Sequence, residues 1–455
     1  PFDVDAIAKR MARALKDQGF RIRLREHGIK QAKKFSWEET AKRAMAAWES
    51  LPQTDKPDYL AQSTVEFRLY EAIVQHTGMA EDNHQLRRLS SYLALNQQSG
   101  AERQLLLDVS ELSQRDAATG VQRVVRSYLK WLLASPPRGF RVEPVYATRD
   151  EGYRYARRFT QRFLSRQDAG VTDDPIRWQR GDIFFGLDMQ HHVQLNHQAV
   201  YRQLRQDGVT VKFLIYDLLP IQLENWFKDS DASVLHARWL QVTAASDGAI
   251  CISKATADAF GEWMRDNSVL TAPNFQNNWV HIGADIDGWR LSTGLPANAN
   301  VTLEVIKSRT TFLCVATLEP RKRQHQILEA IEQLWREGVD VNLVFVGQQG
   351  WKIKALAERI ANHNENGQRL FWLNGISDEY LELVYAASTC LIAASLNEGF
   401  GLPVIEAARH GIPIIARDIP VFREVAGESA YYFTGKTPAK LAQSLQNWLA
   451  LYERG

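Results

Sequence analysis

Residues 395–413 read Ser-Leu-Asn-Glu-Gly-Phe-Gly-Leu-Pro-Val-Ile-Glu-Ala-Ala-Arg-His-Gly-Ile-Pro. Two carboxylates, Glu398 and Glu406, are separated here by seven residues across a glycine turn. Gly399 and Gly401 let the backbone turn sharply and approach a ligand with no Cβ in the way. Pro403 suits the first turn of a helix, where its missing N–H costs nothing. A helix opening near Leu402 points its free amides and positive dipole end at the site that Glu398 borders. The stretch predicts a loop-to-helix step that takes an anion, with an acidic side chain on either side.

The surrounding chain alternates strand-like and helix-like runs. Leu105–Val109, Ile183–Phe185, Val211–Tyr216 and Gly248–Ile252 read as buried strands, with a helix from Gly120 to Leu133 among them. That alternation predicts a doubly wound α/β domain over about 103–270. A hinge at Asn274–Gly294 leads to a second set of strands at Thr310–Val315, Val341–Val346, Leu370–Trp372, Thr389–Ala393 and Pro413–Ile415. Two such domains leave a cleft between them. A closing helix at Thr437–Glu453 carries Leu441, Leu445, Trp448 and Leu449 on one face.

Composition excludes several classes. The 455 residues suffice for two or three domains, and 45% hydrophobic with 24% charged residues is ordinary for a globular protein. A net charge of +2 gives no electrostatic case for nucleic acid. Cys251, Cys314 and Cys390 stand singly in apolar runs, which fits no metal spacing and no disulfide framework. No apolar run approaches the roughly 18–20 residues that span a bilayer. A cytoplasmic chain is expected, at most peripheral to the inner face of the cell membrane. Adjacent His191 and His192 point apart and have no third ligand at metal spacing. Asp-x-Asp at 3–5, 229–231 and 285–287 reads as chance in each case.

The wording Asn-Glu-Gly-Phe-Gly-Leu-Pro-x-x-Glu-Ala resembles the Glu-x7-Glu motif of the retaining glycosyltransferases of family 4, which have the GT-B fold. The resemblance runs in order over residues 103–450 and is most specific over 310–435. It implies an enzyme that moves a sugar from a nucleotide diphosphate with retention of configuration. It also implies roles. Glu406 accepts from the ribose hydroxyls, Glu398 touches the donor sugar, and Gly399, Phe400, Gly401 and Leu402 present amides to sugar and phosphate. Thr317-Leu318-Glu319-Pro320-Arg321-Lys322 resembles the family's diphosphate loop, so Arg321 and Lys322 take the place of a metal, and no metal or other cofactor is expected. The family's usual glycines fall on Ala316 and Arg323. Val344–Trp351 resembles the strand and glycine turn beside the nucleotide, with Gly347 as a donor contact. Gly120 matches a first-loop glycine facing phosphate. Tyr216-Asp217 stands where many relatives have His-Asp, leaving Asp217 as the candidate. Asp188 and Arg123 are the acceptor-side candidates.

The order of segments resembles a tandem enzyme. Residues 1–52, with Val4, Ile7, Met11 and Leu15 as a helical stripe and Ser36 as an N-cap in Phe35-Ser36-Trp37, resemble the tail of an upstream glycosyltransferase module. Residues 53–102 then form a helical linker, 103–275 the acceptor domain and 276–455 the nucleotide-sugar domain. This layout resembles the two-module polymannan O-antigen mannosyltransferases. It implies GDP-mannose as donor, a lipid-linked glycan as acceptor, a membrane-associated assembly partner and no nucleic acid. The competing expectation is a non-catalytic GT-B module that binds acceptor glycan or scaffolds an assembly complex.

Overall fold

The computed structural model describes residues 102–454 except 117–118, 166–170, 228–230 and 284–291, together with a few residues between 17 and 46. The helical stripe at 4–15, the Phe35-Ser36-Trp37 segment, the linker at 53–101 and the Asp-x-Asp copies at 3–5 and 285–287 lie outside the described residues.

Two sheets are built around strands buried along most of their length, the pattern of a strand covered on both faces, with more exposed strands toward the edges. The first comprises β1 (Arg103–Asp108), β2 (Phe140–Tyr146), β3 (Arg154–Tyr155), β4 (Ile183–Gly186), β5 (Thr210–Ile215), β6 (Gly248–Cys251) and β7 (Gln276–Trp279). Its order is β3-β2-β1-β4-β5-β6-β7, with β1 parallel to β2 and β4 and the short β3 antiparallel at one edge. The second comprises β8 (Thr310–Val315), β9 (Val341–Val346), β10 (Leu370–Leu373), β11 (Cys390–Ala393), β12 (Ile414–Arg417) and β13 (Tyr431–Phe433). Its order is β10-β9-β8-β11-β12-β13, with each strand parallel to its neighbours. Both are Rossmann-like, and the fold class is α/β of the GT-B type.

The helices needed below are α1 (Gly120–Ala134), α2 (Lys254–Asp266), α3 (Gln324–Arg336), α4 (Asp378–Ala387), α5 (Leu402–Arg409), α6 (Pro420–Ala426) and α7 (Pro438–Glu453). Side chains alternate across the second sheet as a period of two demands. Phe312 and Phe345 pack with Ile327 and Ile331 of α3 and with Leu441, Leu445 and Trp448 of α7. Their neighbours Leu313 and Val344 pack on the opposite face with Val384, Tyr385, Val404 and Phe422. The expected closing helix is thus a core element.

Four strands were not expected. β2 carries Pro144, which cannot donate to a ladder, and β3 and β13 are two and three residues long. β7 is the polar run Gln-Asn-Asn-Trp, paired only with β6 at the sheet edge. The stretch expected as the start of a hinge therefore opens with a strand.

By internal packing the described residues from 102 onward fall into two units, one drawn from 119–128 and 213–454 and the other from 102–116 and 129–212. Every contact assigned to the candidate site below is internal to the first unit. No described helix is long and apolar enough to cross a membrane.

Candidate functional site

In the second sheet the strand order reverses between β8 and β11, so a crevice opens beyond their carboxyl ends. Two loops leave from those ends, Ala316–Arg323 and Ala394–Gly401. They are tied where the Leu396 amide donates to the Arg321 carbonyl at 2.9 Å. A small pocket is lined by both, with Lys322, Ser395, Glu398, Gly401, Pro403 and Phe422 on its wall.

Charge is concentrated at this junction. Lys322 Nζ donates to one oxygen of Glu398, and Arg321 Nη1 approaches the other at 3.4 Å. Arg321 Nε lies 2.8 Å from Glu319. Burial alone would raise the Glu398 carboxyl, but the charges of Lys322 and Arg321 outweigh it and hold the group down at about 2. Asp217, at the end of β5, belongs to the same cluster. Burial raises its carboxyl against the opposing pull of Arg321. The backbone under Asp217 is fixed by His236, whose Nε2 lies 3.0 Å from the Asp217 carbonyl. Burial lowers the His236 imidazole to about 4, so it is neutral at pH 7.

Glycine is required at Gly399 by a close approach. A Cβ there would lie 2.1 Å from the Tyr216 carbonyl oxygen. On its other side, the Gly399 carbonyl accepts from Ser253 Oγ at 2.7 Å and from Thr256 Oγ1 at 3.2 Å. Ser253 is also the N-cap of α2. Gly401 takes φ 93 as the N-cap of α5, so its glycine is a backbone requirement. Phe400 turns its ring into the protein, 5.7 Å from His281, and only its backbone faces the turn. Gly347 presses on the start of the first loop, where a Cβ would meet the Ala316 carbonyl at 2.1 Å.

Glu406 lies one turn into α5 and is 3% exposed. Its Oε1 accepts from Arg123 Nη1 and its Oε2 from the Tyr385 hydroxyl, each at 2.8 Å. Tyr385 is itself stacked on His410, with centroids 5.1 Å apart and planes at 6°. Arg123, read from sequence as acceptor-side, is thus placed on the second carboxylate of the motif. Gly120 opens α1, and a Cβ there would meet open space. Asp188 belongs to the other unit. It is 2% exposed, and its oxygens accept from the Leu112 amide at 2.6 Å and the Met189 amide at 2.9 Å. The structure therefore gathers Glu398, Arg321, Lys322 and Gly399 of the two loops with Asp217 after β5 at one point, and Glu406 of α5 with Arg123 of α1 at another.

Three further groups take partners that the sequence reading did not foresee. Glu424 of α6 accepts from the Lys254 and Ala255 amides, each at 2.7 Å, so it caps α2, and His281 Nε2 contacts it at 2.6 Å. Arg323 adopts φ 61, the left-handed region that explains why glycine is usual there. Its guanidinium donates to the Lys436 carbonyl at 2.8 Å and lies over the Trp226 ring at 5.7 Å. Trp351 donates from Nε1 to the Trp226 carbonyl at 2.9 Å and stacks on Phe227. Half-buried aromatic rings at this rim give no sequence signal that separates them from core.

Residues 302–454 match the model of the glycosyl transferases group 1 family. The whole chain is 38% identical over 460 residues to a serotype-specific mannosyltransferase WbdA of Escherichia coli, and covers 54% of its length. An O-antigen chain mannosyltransferase B of Escherichia coli is 33% identical over 121 residues, covering 26% of this chain and 31% of that protein. The chain spans about half the length of the WbdA proteins it matches, 54% to 56%. Among solved structures, Anabaena HepE in complex with UDP-glucose superposes with a TM-score of 0.52 at 15% identity, over 77% of this chain and 91% of that one. A sucrose-phosphate synthase from Thermosynechococcus elongatus gives 0.51 at 17% identity, over 76% and 90%. These structural likenesses bear on the fold alone. The fold is of the GT-B type, and the sheet, loops and helix that carry both motif carboxylates lie within residues 302–454, the stretch that is similar to the glycosyl transferases group 1 family.

Proposed function

We propose that this chain transfers mannose from GDP-mannose, with retention of configuration, to a glycan acceptor in the assembly of a bacterial surface polysaccharide. The observation that carries this reading is the meeting of Lys322 and Arg321 with Glu398 at the start of α5, on the switch point of the second sheet. Glycosyl transfer from a nucleotide needs charge stabilised on the departing diphosphate and a sugar held in place. Two cations and the α5 amides supply the first. Glu398, ionised far below neutral pH, supplies hydrogen-bond acceptors for the second. Glu406 accepts the ribose hydroxyls. No protein nucleophile is required, and the donor's phosphate oxygen takes the acceptor's proton as the new bond forms on the face the nucleotide leaves. Mannose is supported by the relatives' names, which include mannosyltransferases along the full chain. A lipid-linked acceptor and a peripheral place at the inner membrane face complete the proposal.

The test uses the purified chain with a panel of GDP- and UDP-sugars and short mannose acceptors, with products identified by NMR. A new α-mannosyl linkage from GDP-mannose is the expected product. Donor binding with no transfer to any acceptor would favour a glycan-binding or scaffolding module instead.

A further inference from the structure

Arg123 and Glu406 are 283 positions apart in sequence and meet at 2.8 Å. A carboxylate 3% exposed is tolerated only if its oxygens are compensated, and here both are. The two compensating groups differ in mobility. Tyr385 is fully buried and locked against His410, so its hydroxyl stays with Oε2. Arg123 is on the first turn of α1 with 31% of its side chain exposed, and its unbranched stem can carry the guanidinium elsewhere. A ribose diol seated on Glu406 needs an acceptor oxygen, and the one that can be vacated is Oε1. Three residues before Arg123, Gly120 opens the same helix with free space beside it.

We infer that Arg123 is a latch that holds Glu406 and is handed from that carboxylate to the donor's diphosphate when the ribose arrives. This rests on the nucleotide-sugar reading above and adds a discrimination to it. A nucleoside that takes Oε1 displaces Arg123 and gives it no new partner. A nucleoside diphosphate displaces it and offers a phosphate, with which guanidinium makes strong, paired hydrogen bonds. Arg123 is therefore a specificity-determining residue that biases the site against nucleosides and toward diphosphates. A residue that only supported the fold would treat the two ligands alike.

Ligand-observed NMR titrations of the full chain and of Arg123→Gln, with GDP and guanosine and in parallel UDP and uridine, separate these cases. The variant is expected to bind the diphosphate at least about tenfold more weakly and the matching nucleoside at least about threefold more tightly. Both ligands moving in one direction, or neither moving, overturns the latch while leaving the donor site intact. If the unchanged chain binds no diphosphate, the nucleotide-sugar reading falls and the latch with it. Should Arg123→Gln fail to fold, Arg123→Lys decides. Keeping a cation but losing the fork, it should retain diphosphate binding within about threefold and gain nucleoside affinity, and weakened binding of both overturns the proposal.

Discussion

Glu398 is the side chain on which the most charge converges, and its state is set by its neighbours. Lys322 and Arg321 keep it ionised in a place where burial alone would protonate it. Replacing it with alanine should cut sugar transfer at least about a hundredfold, the scale of removing one preorganised electrostatic group. Initial rates with the preferred donor measure this, and near-normal turnover would remove the central assignment. Arg323 permits a second, purely conformational test. Its φ of 61 strains any residue with a Cβ, and its guanidinium offsets that through Lys436 and Trp226. Arg323→Ala keeps the strain and loses the contacts, whereas Arg323→Gly loses the contacts and the strain together. The alanine variant should unfold at lower denaturant, by about 1 kcal/mol relative to the glycine variant. Equal midpoints would mean that the left-handed turn is not what this position demands.

Elements show what could be read from the chain and what could not. The loops after β8 and β11 and the start of α5 were legible, because proline, paired glycines and charges at fixed spacing each have one local physical use. Long-range pairings were not. Nothing near Glu424 signals that it caps α2, about 170 positions earlier, and nothing near Arg123 signals Glu406. β7 hid because its residues are polar at a sheet edge, where burial leaves no periodic trace. Asp188 was legible as a strand-end carboxylate but not as a buried one. Burial, with Asp108 adding repulsion, raises its carboxyl to about 7. A raised acid favours the folded state most where it is protonated in both states, below about pH 4, and that stability is lost as pH rises through about 7. Asp188→Asn should therefore gain denaturant resistance relative to the unchanged chain between pH 4 and pH 8. A constant difference across that range would exclude titration of Asp188 as the cause.

At the scale of the whole molecule, the order 3-2-1-4-5-6 in the second sheet places the candidate site by topology before any side chain is considered. The loops then bring Arg321 and Lys322 to the start of α5, so under the proposed transfer the positive charge for a departing diphosphate comes from the chain itself. Transfer should persist undiminished in excess EDTA, measured with metal-depleted protein and donor. Loss of activity on chelation with recovery in Mn²⁺ would contradict that assignment.

The Gly399 peptide is gripped from two directions, by the Tyr216 carbonyl below and by Ser253 and Thr256 on its own oxygen. The motif loop is consequently not a portable cassette. A chimera that imports 395–406 from a relative to change its donor inherits a turn shaped for that relative's own supports at 216–217 and 253–256. Successful grafts will be those that exchange all three segments together, so recombination within this lineage is expected to trade the segments as one block.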